Sequence, residues 1–262
     1  GMDERSQLMA ERSVSVGVTV PVAVVAGVKP TQPKRRAMAT ELSPGVWRFA
    51  LRGVNAYLIE DEGGPTLVDA GTPLDADDLR TELAAVGYGP EDIERVLLTH
   101  YDLDHVGGLT GLTPELDAPV YAHRHDAELL TGERSPPLSN HKGALQRLLG
   151  LFLTRPPLEV EHVEDGDEIG EFTAYHTPGH GPGHLVWISE THEVALLGDL
   201  VGGADGELEP SGWLMSYDTD EVWASIRDLA ERAPEFEVAC VGHGEPLTTG
   251  GSAALAVLST RR

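Results

Sequence analysis

Short apolar runs, broken by glycine and proline, fill the chain after residue 45 and change period along its length. Segments 46–51, 55–60 and 66–69 are rich in β-branched and aromatic residues and are separated by Gly53 and the turn Gly63-Gly64-Pro65, which predicts three short strands in a meander. The period then lengthens. Leu79, Leu83 and Val86 recur at i, i+4 and i+7 behind Asp75, a side chain able to cap, and stop at Gly87, so this stretch predicts a helix. A buried strand is expected at 95–99. Between about 125 and 157 the pattern loosens around Ser135-Pro136-Pro137; Leu145, Leu148, Leu149 and Phe152 then supply one apolar helical face, and the segment reads as a lid-like insertion. Further strands are expected at 159–163, 172–176, 185–189 and 194–197. A helix capped by Thr219 or Asp220, with Val222, Ile226 and Leu229 on one face, a strand at 237–241 and a helix from 252 complete the chain. Strands precede a helix–strand–helix unit twice over, which suggests an α/β chain in two halves.

Composition narrows the partners. The 262 residues are 40% hydrophobic and 24% charged, an ordinary globular balance. Asp and Glu number 43 against 19 Lys and Arg, a net charge of −24 that repels phosphate backbones and anionic lipid heads. A small-molecule substrate is therefore expected, with no nucleic-acid or membrane partner; a homodimer is compatible. One cysteine, Cys240, excludes an intramolecular disulfide and a Cys-rich zinc module and suits a cytoplasmic setting. The early apolar stretch 14–28 is broken by Pro21 and is shorter than the ~20 residues of a membrane span. It runs into a basic, proline-containing segment at 29–36, so residues 1–37 read as an N-terminal extension, linker or mis-called start, and 38–262 as the domain.

The candidate chemistry lies where strands end. Leu98-Thr-His-Tyr-Asp-Leu-Asp-His105 puts His100, Asp102, Asp104 and His105 on one loop, and a mix of imidazole and carboxylate suits Zn, Fe or Mn better than Ca or Mg. His180 in Pro-Gly-His-Gly, Asp199 in Leu-Gly-Asp-Leu and His243 in Val-Gly-His-Gly each follow an expected strand in a glycine-rich turn, as does Asp69 in Val-Asp-Ala-Gly. Of the other histidines, His176 and His184 read as supporting residues, His123, His125, His162 and His192 as surface or strand-end residues, and His141 as a candidate pocket residue. Cys240 reads as a small buried hydrophobe and Trp213 as a packing residue, while Tyr101 and Tyr217 are candidates to face a substrate.

In this order and with these glycine contexts, Asp69, His100-x-Asp102-x-Asp104-His105, His180, Asp199 and His243 resemble the metallo-β-lactamase superfamily, over about residues 44–246. The resemblance implies an αββα four-layer sandwich of two mixed β-sheets flanked by helices, with a one- or two-metal site at one edge. It implies that His100 and His180 hold a first divalent metal ion and Asp104, His105 and His243 a second, that Asp199 bridges the two, and that Asp69 orients ligands from behind. Zinc is the expected metal. The implied activity is hydrolysis of a small ester, lactone or thioester by metal-activated water, with Asp104 and Asp199 as the catalytic carboxylates.

One residue departs from the family pattern His-x-His-x-Asp-His. Position 102 is Asp, which leaves three readings: direct ligation of the first metal, contact through water, or a weak or empty first site. The flavodiiron branch carries a carboxylate there, so iron or manganese becomes an alternative metal, and a diiron redox protein or a catalytically inactive metal-binding relative an alternative function. Asp102 and Asp199 both depart from the commonest lactamase pattern, so β-lactam hydrolysis is not expected. Only 19 residues follow His243, against a C-terminal helical domain in glutathione-thioester hydrolases of the family, which also disfavours that substrate.

Overall fold

The meander expected from residues 46–69 forms with one strand more, in a computed structural model that describes residues 39–261. The extension read at 1–37 lies outside the described residues. Strands β1 (Thr40–Ser43), β2 (Val46–Ala50), β3 (Asn55–Asp61) and β4 (Gly64–Val68) pair antiparallel in sequence order. After helix α1 (Ala76–Ala85), strand β5 (Arg95–Leu97) joins β4 in parallel. Two single turns, α2 (Leu103–Val106) and α3 (Leu109–Leu112), lead to β6 (Val120–His123). Helices α4 (Arg124–Thr131) and α5 (His141–Leu149) then cross over to β7 (Val160–Val163), and β5, β6 and β7 run parallel.

The second sheet starts with the antiparallel strands β8 (Glu168–Ile169), β9 (Phe172–His176), β10 (Leu185–Ser189) and β11 (Val194–Leu196). A separate ribbon of β12 (Val201–Ala204) and β13 (Glu207–Pro210) and helix α6 (Thr219–Arg232) intervene before β14 (Val238–Cys240) returns parallel to β11; helix α7 (Gly251–Ser259) follows.

Strand periodicity sorts the side chains into three buried layers. Tyr57, Ile59, Val68 and Leu97 of the first sheet meet Phe172, Leu185, Trp187 and Leu196 of the second. The opposite face of the first sheet, through Leu58, Leu67 and Val96, packs on Leu79 and Leu83 of α1, Leu109 and Leu112 of α3 and Leu130 of α4. Val186, Ile188 and Ala239 of the second sheet pack on Val222, Ile226 and Leu229 of α6 and on Leu255 and Leu258 of α7. These layers are the four of an αββα sandwich with two mixed sheets. Trp187 is fully buried between the sheets and its indole nitrogen donates to the Leu98 carbonyl at 2.9 Å. Trp187→Ala is therefore expected to destabilise the fold by about 3–5 kcal/mol, measured by denaturant unfolding.

Some local expectations shift. The cap of α6 is Asp218, whose carboxylate accepts from the amides of Asp220 and Glu221, one residue before the expected position. The segment 125–157 divides in two: α4 carries core residues Ala127 and Leu130, whereas α5 lies over the strand ends. The apolar face read on the second part splits: Leu145 and Leu149 line a cleft beside Asp102, whereas Leu148 and Phe152 are exposed. Helix α5 buries Lys142, Gly143 and Gln146 and leaves Leu148 exposed, as the turn after it leaves Phe152, because the inner side of the helix meets the carboxylate of Asp102.

Candidate metal centre

Each sequence-singled polar residue sits just past a strand end, on one rim of the sandwich. Asp69 follows β4, His100 to His105 follow β5, His180 follows β9, Asp199 follows β11 and His243 follows β14. Tight backbone brings them together. Gly198 adopts φ +52°, and a Cβ on Gly242 would stand 2.0 Å from a carboxylate oxygen of Asp199, so the loop carrying His243 can close on Asp199 only with glycine there.

Three trios of possible ligand atoms result: His100, Asp102 and His180; His100, His105 and Asp199; Asp104, His105 and His243. In the first, the two Nε2 atoms are 3.1 Å apart and each is 3.2 Å from Oδ2 of Asp102. Ligand atoms around a tetrahedral zinc at about 2.0 Å stand roughly 3.3 Å apart, so this trio has the dimensions of a metal site. Asp199 Oδ2 lies 3.2 Å from His243 Nε2, 3.6 Å from His180 Nε2 and 3.9 Å from His100 Nε2, and its Oδ1 lies 3.5 Å from His105 Nε2. It is the one carboxylate that touches both sides of the cluster. His243 Nε2 is also 3.3 Å from Asp104 Oδ2.

The outward nitrogens are held by the protein. Nδ1 of His105 is 2.7 Å from Asp69 Oδ2, that of His100 is 3.0 Å from Thr99 Oγ1, that of His180 is 2.8 Å from Ser211 Oγ and that of His243 is 2.6 Å from the Gly53 carbonyl. Asp69 accepts in turn from the amide and hydroxyl of Thr99 at 2.9 and 2.7 Å. With Nδ1 engaged in this way, all four rings present Nε2 to the centre, which is the arrangement metal-binding histidines need. His184 stands behind the centre as expected: its Nδ1 meets Thr177 Oγ1 at 2.8 Å and its Nε2 accepts from the Asp199 amide at 3.1 Å. Asp69→Asn is expected to lower metal affinity roughly 10–100-fold by offering His105 an amide in place of the carboxylate, as measured by competition with a chelator.

The donor set fits a cation on two further grounds. His105 Nε2 and Asp199 Oδ1 are buried without a hydrogen-bond partner among the described residues, although an unmet buried polar atom is costly. The field of the cluster also favours positive charge. Hydrogen bonds to Asp104 and Asp199 push His243 up to about 10, and the charges of Asp199 and Asp69 raise His105 against the effect of its burial. Burial, Lys142 and His100 instead bring His180 down to about 4, keeping that imidazole neutral and able to ligate.

Several contributing residues carry no motif. Lys142, the only lysine among the described residues, is buried with Nζ 3.0 Å from Asp102 Oδ2 and 2.8 Å from the His180 carbonyl. Gln146 donates to the other oxygen of Asp102 at 2.6 Å, so two residues one helical turn apart on α5 hold that carboxylate. Asp126, at the start of α4, accepts from the Tyr101 amide at 2.8 Å and anchors the motif loop. Asn55 donates at 2.9 Å to the carbonyls of Val241 and Gly244, clamping the His243 turn from both sides. A buried lysine or asparagine at a helix or strand position is the available signal, and it becomes readable only with burial known.

The remaining candidates sit apart. His123 stacks on His176, His192 pairs with Glu171 and Cys240 is buried, its thiol pushed up by burial. His141 stacks on Trp213 and bonds its carbonyl at 2.9 Å; Trp213, expected to pack inside, is 66% exposed, because its short helical turn lies at the rim where α5 meets the loop after β13. An open groove of about 450 Å³ lies over Asp199 and His243, walled by Gly202, Gly203, Pro210 and Met215. A narrow apolar cleft beside Asp102 and Asp104 is lined by Leu145, Leu149, Leu153 and Met215.

The family model "Metallo-beta-lactamase superfamily" matches residues 50–243. The probable metallo-hydrolase YflN of Bacillus subtilis is 28% identical over 238 residues, covering 82% of this chain and 89% of the relative. A metallo-beta-lactamase family protein of Thermus thermophilus, TTHA1429, superposes with TM-score 0.63 at 24% identity, over 84% of this chain and 79% of the other. The protein TTHA1623, described in a di-iron-bound form, superposes with TM-score 0.60 at 30% identity, over 81% of this chain and 96% of the other. The chain belongs to the metallo-beta-lactamase superfamily and is a metal-dependent hydrolase.

Proposed function

We propose that this protein hydrolyses a small, uncharged ester, lactone or thioester that has an apolar portion, and that it does so with two divalent metal ions. The observation that supports this reading is the convergence of four imidazole Nε2 atoms and the carboxylates of Asp102, Asp104 and Asp199, with Asp199 and His243 lining an open groove and Asp102 and Asp104 an apolar cleft. His100, Asp102 and His180 would hold one ion, Asp104, His105 and His243 the other, and Asp199 would lie between. Bound there, zinc or iron supplies Lewis acidity and brings the pKa of water toward ~7.

The protein supplies the rest. Asp104, about one-third exposed and 3.3 Å from His243, lines the apolar cleft and is the carboxylate placed to accept and return a proton. Its carboxyl is held below the usual range: burial opposes ionisation, and the hydrogen bond from His243 and the charge of His105 outweigh it. Leu145, Leu149, Leu153 and Met215 offer the apolar wall, and the net charge of −24 disfavours an anionic substrate.

The test is turnover by metal-loaded protein of uncharged aryl esters, lactones and acyl thioesters. One class should be hydrolysed and the activity should disappear on chelation. Fully loaded protein that hydrolyses none of them would overturn the reading. A diiron redox centre is the second reading, favoured by the di-iron-bound relative; iron-loaded protein whose absorbance cycles between dithionite and air, without hydrolysis, would support it.

A further inference from the structure

The first trio differs from the second in what stands behind it. Asp102 brings one negative charge between two imidazoles, and the only lysine among the described residues delivers one positive charge to the same oxygen. Lys142 cannot swing away. Its Nζ is shared between Asp102 and the His180 carbonyl, its stem is buried and the Tyr217 ring lies 6.0 Å from the ammonium. Helix α5 is fixed from both sides by Asn140, which caps it and donates to the Tyr217 carbonyl, and by Gln146, which donates to Asp102 and to the Tyr101 carbonyl. A buried ammonium is costly unless paired, so Lys142 and Asp102 act as a unit.

As a unit they are electrically neutral, like an imidazole. The trio of His100, His180 and the Asp102–Lys142 pair thus contributes no net charge, whereas Asp104, His105 and His243 contribute one negative charge, with Asp69 adding another directly behind His105. Asp199 is shared. A divalent cation senses this difference at short range and in a poorly screened setting.

We propose that Lys142 is a positioning residue of the metal centre: by offsetting Asp102 it holds the His100–Asp102–His180 site at lower cation affinity than the Asp104–His105–His243 site, so the centre loads in two separate steps. The inference rests on the metal-centre reading above. Lys142 also keeps Asp102 from being an unpaired buried anion when that first trio holds no ion.

The experiment is titration of the metal-free full chain with Zn²⁺ against a chromophoric chelator, for the natural sequence, Lys142→Met and Lys142→Arg. The natural protein should bind one ion tightly and a second at least about tenfold more weakly. Lys142→Met should tighten the second ion by about tenfold or more while leaving the first within roughly threefold, and should lower the melting temperature of the metal-free chain; Lys142→Arg should retain two unequal steps. A second ion bound equally or more weakly in Lys142→Met overturns the proposal. Should that variant not fold, Asp102→Asn decides, because the ammonium then lacks its carboxylate: one ion bound is expected, and two bound as in the natural protein overturns the proposal. No zinc bound by the natural protein would instead defeat the metal-centre reading itself.

Discussion

Asp199→Asn is expected to lower kcat/KM by about three orders of magnitude, beyond the roughly 10–100-fold that follows loss of an outer hydrogen-bond partner of a ligand. The reason is position. Asp199 alone reaches His105 and His243 on one side and His100 and His180 on the other, within 3.9 Å in every case. Asparagine keeps the shape but removes the charge, and its amide can turn N–H groups toward the place of the cation. The fold should survive, since it is the backbone amide of Asp199 that bonds His184, and its carboxylate makes no hydrogen bond to the backbone ladder. Loss of one of three crowded carboxylates should even leave the metal-free protein as stable as before. Metal content by elemental analysis, steady-state kinetics and thermal unfolding of the metal-free form check this; two retained ions with full activity would contradict it.

Chelation should produce the second large effect, a fall in melting temperature. Metal binding in thousandfold excess over its dissociation constant stabilises the native state by ~4 kcal/mol, which for a chain of this size corresponds to roughly 8–16 °C. The cluster concentrates that dependence. Without an ion, His105 Nε2 and Asp199 Oδ1 are buried with no hydrogen-bond partner among the described residues, and Asp102, Asp104 and Asp199 repel one another; Asp102 stays ionised there, against its burial, through Lys142 and His100. Calorimetry before and after chelation, with recovery on adding back zinc or iron, measures it. An unchanged transition would mean that no ion supports the fold.

Both results would follow from residues visible in the sequence, but the molecule adds partners that were not. The β2–β3–β4 meander, α1, β9–β11 and α6 all follow apolar periods, because each buries one face against a sheet or a helix layer. Strand β6 escapes that logic: it has only four residues, and its parallel neighbours on both sides leave little alternation to read. The β12–β13 ribbon escapes it too, since Gly202 and Gly203 lie within β12. Helix α5 inverts it, with Lys142 and Gln146 inside and Leu148 outside, because polar burial there is set by Asp102 and not by a core.

By itself the sequence determined the ligand types and the places where they could stand. Histidines and aspartates follow strand ends in glycine-rich turns, and strand ends and turns are local properties of backbone sterics and hydrophobic period. Only the tertiary structure decided which of them share a site, since His100 and His180 are distant in sequence and meet only when two sheets stack. It alone placed Thr99, Ser211 and Asn55 behind the rings and turns, and it alone brought Lys142 to Asp102. A charge on a helix reads as solvent-facing until packing buries it, and packing depends on contacts between residues far apart in the chain.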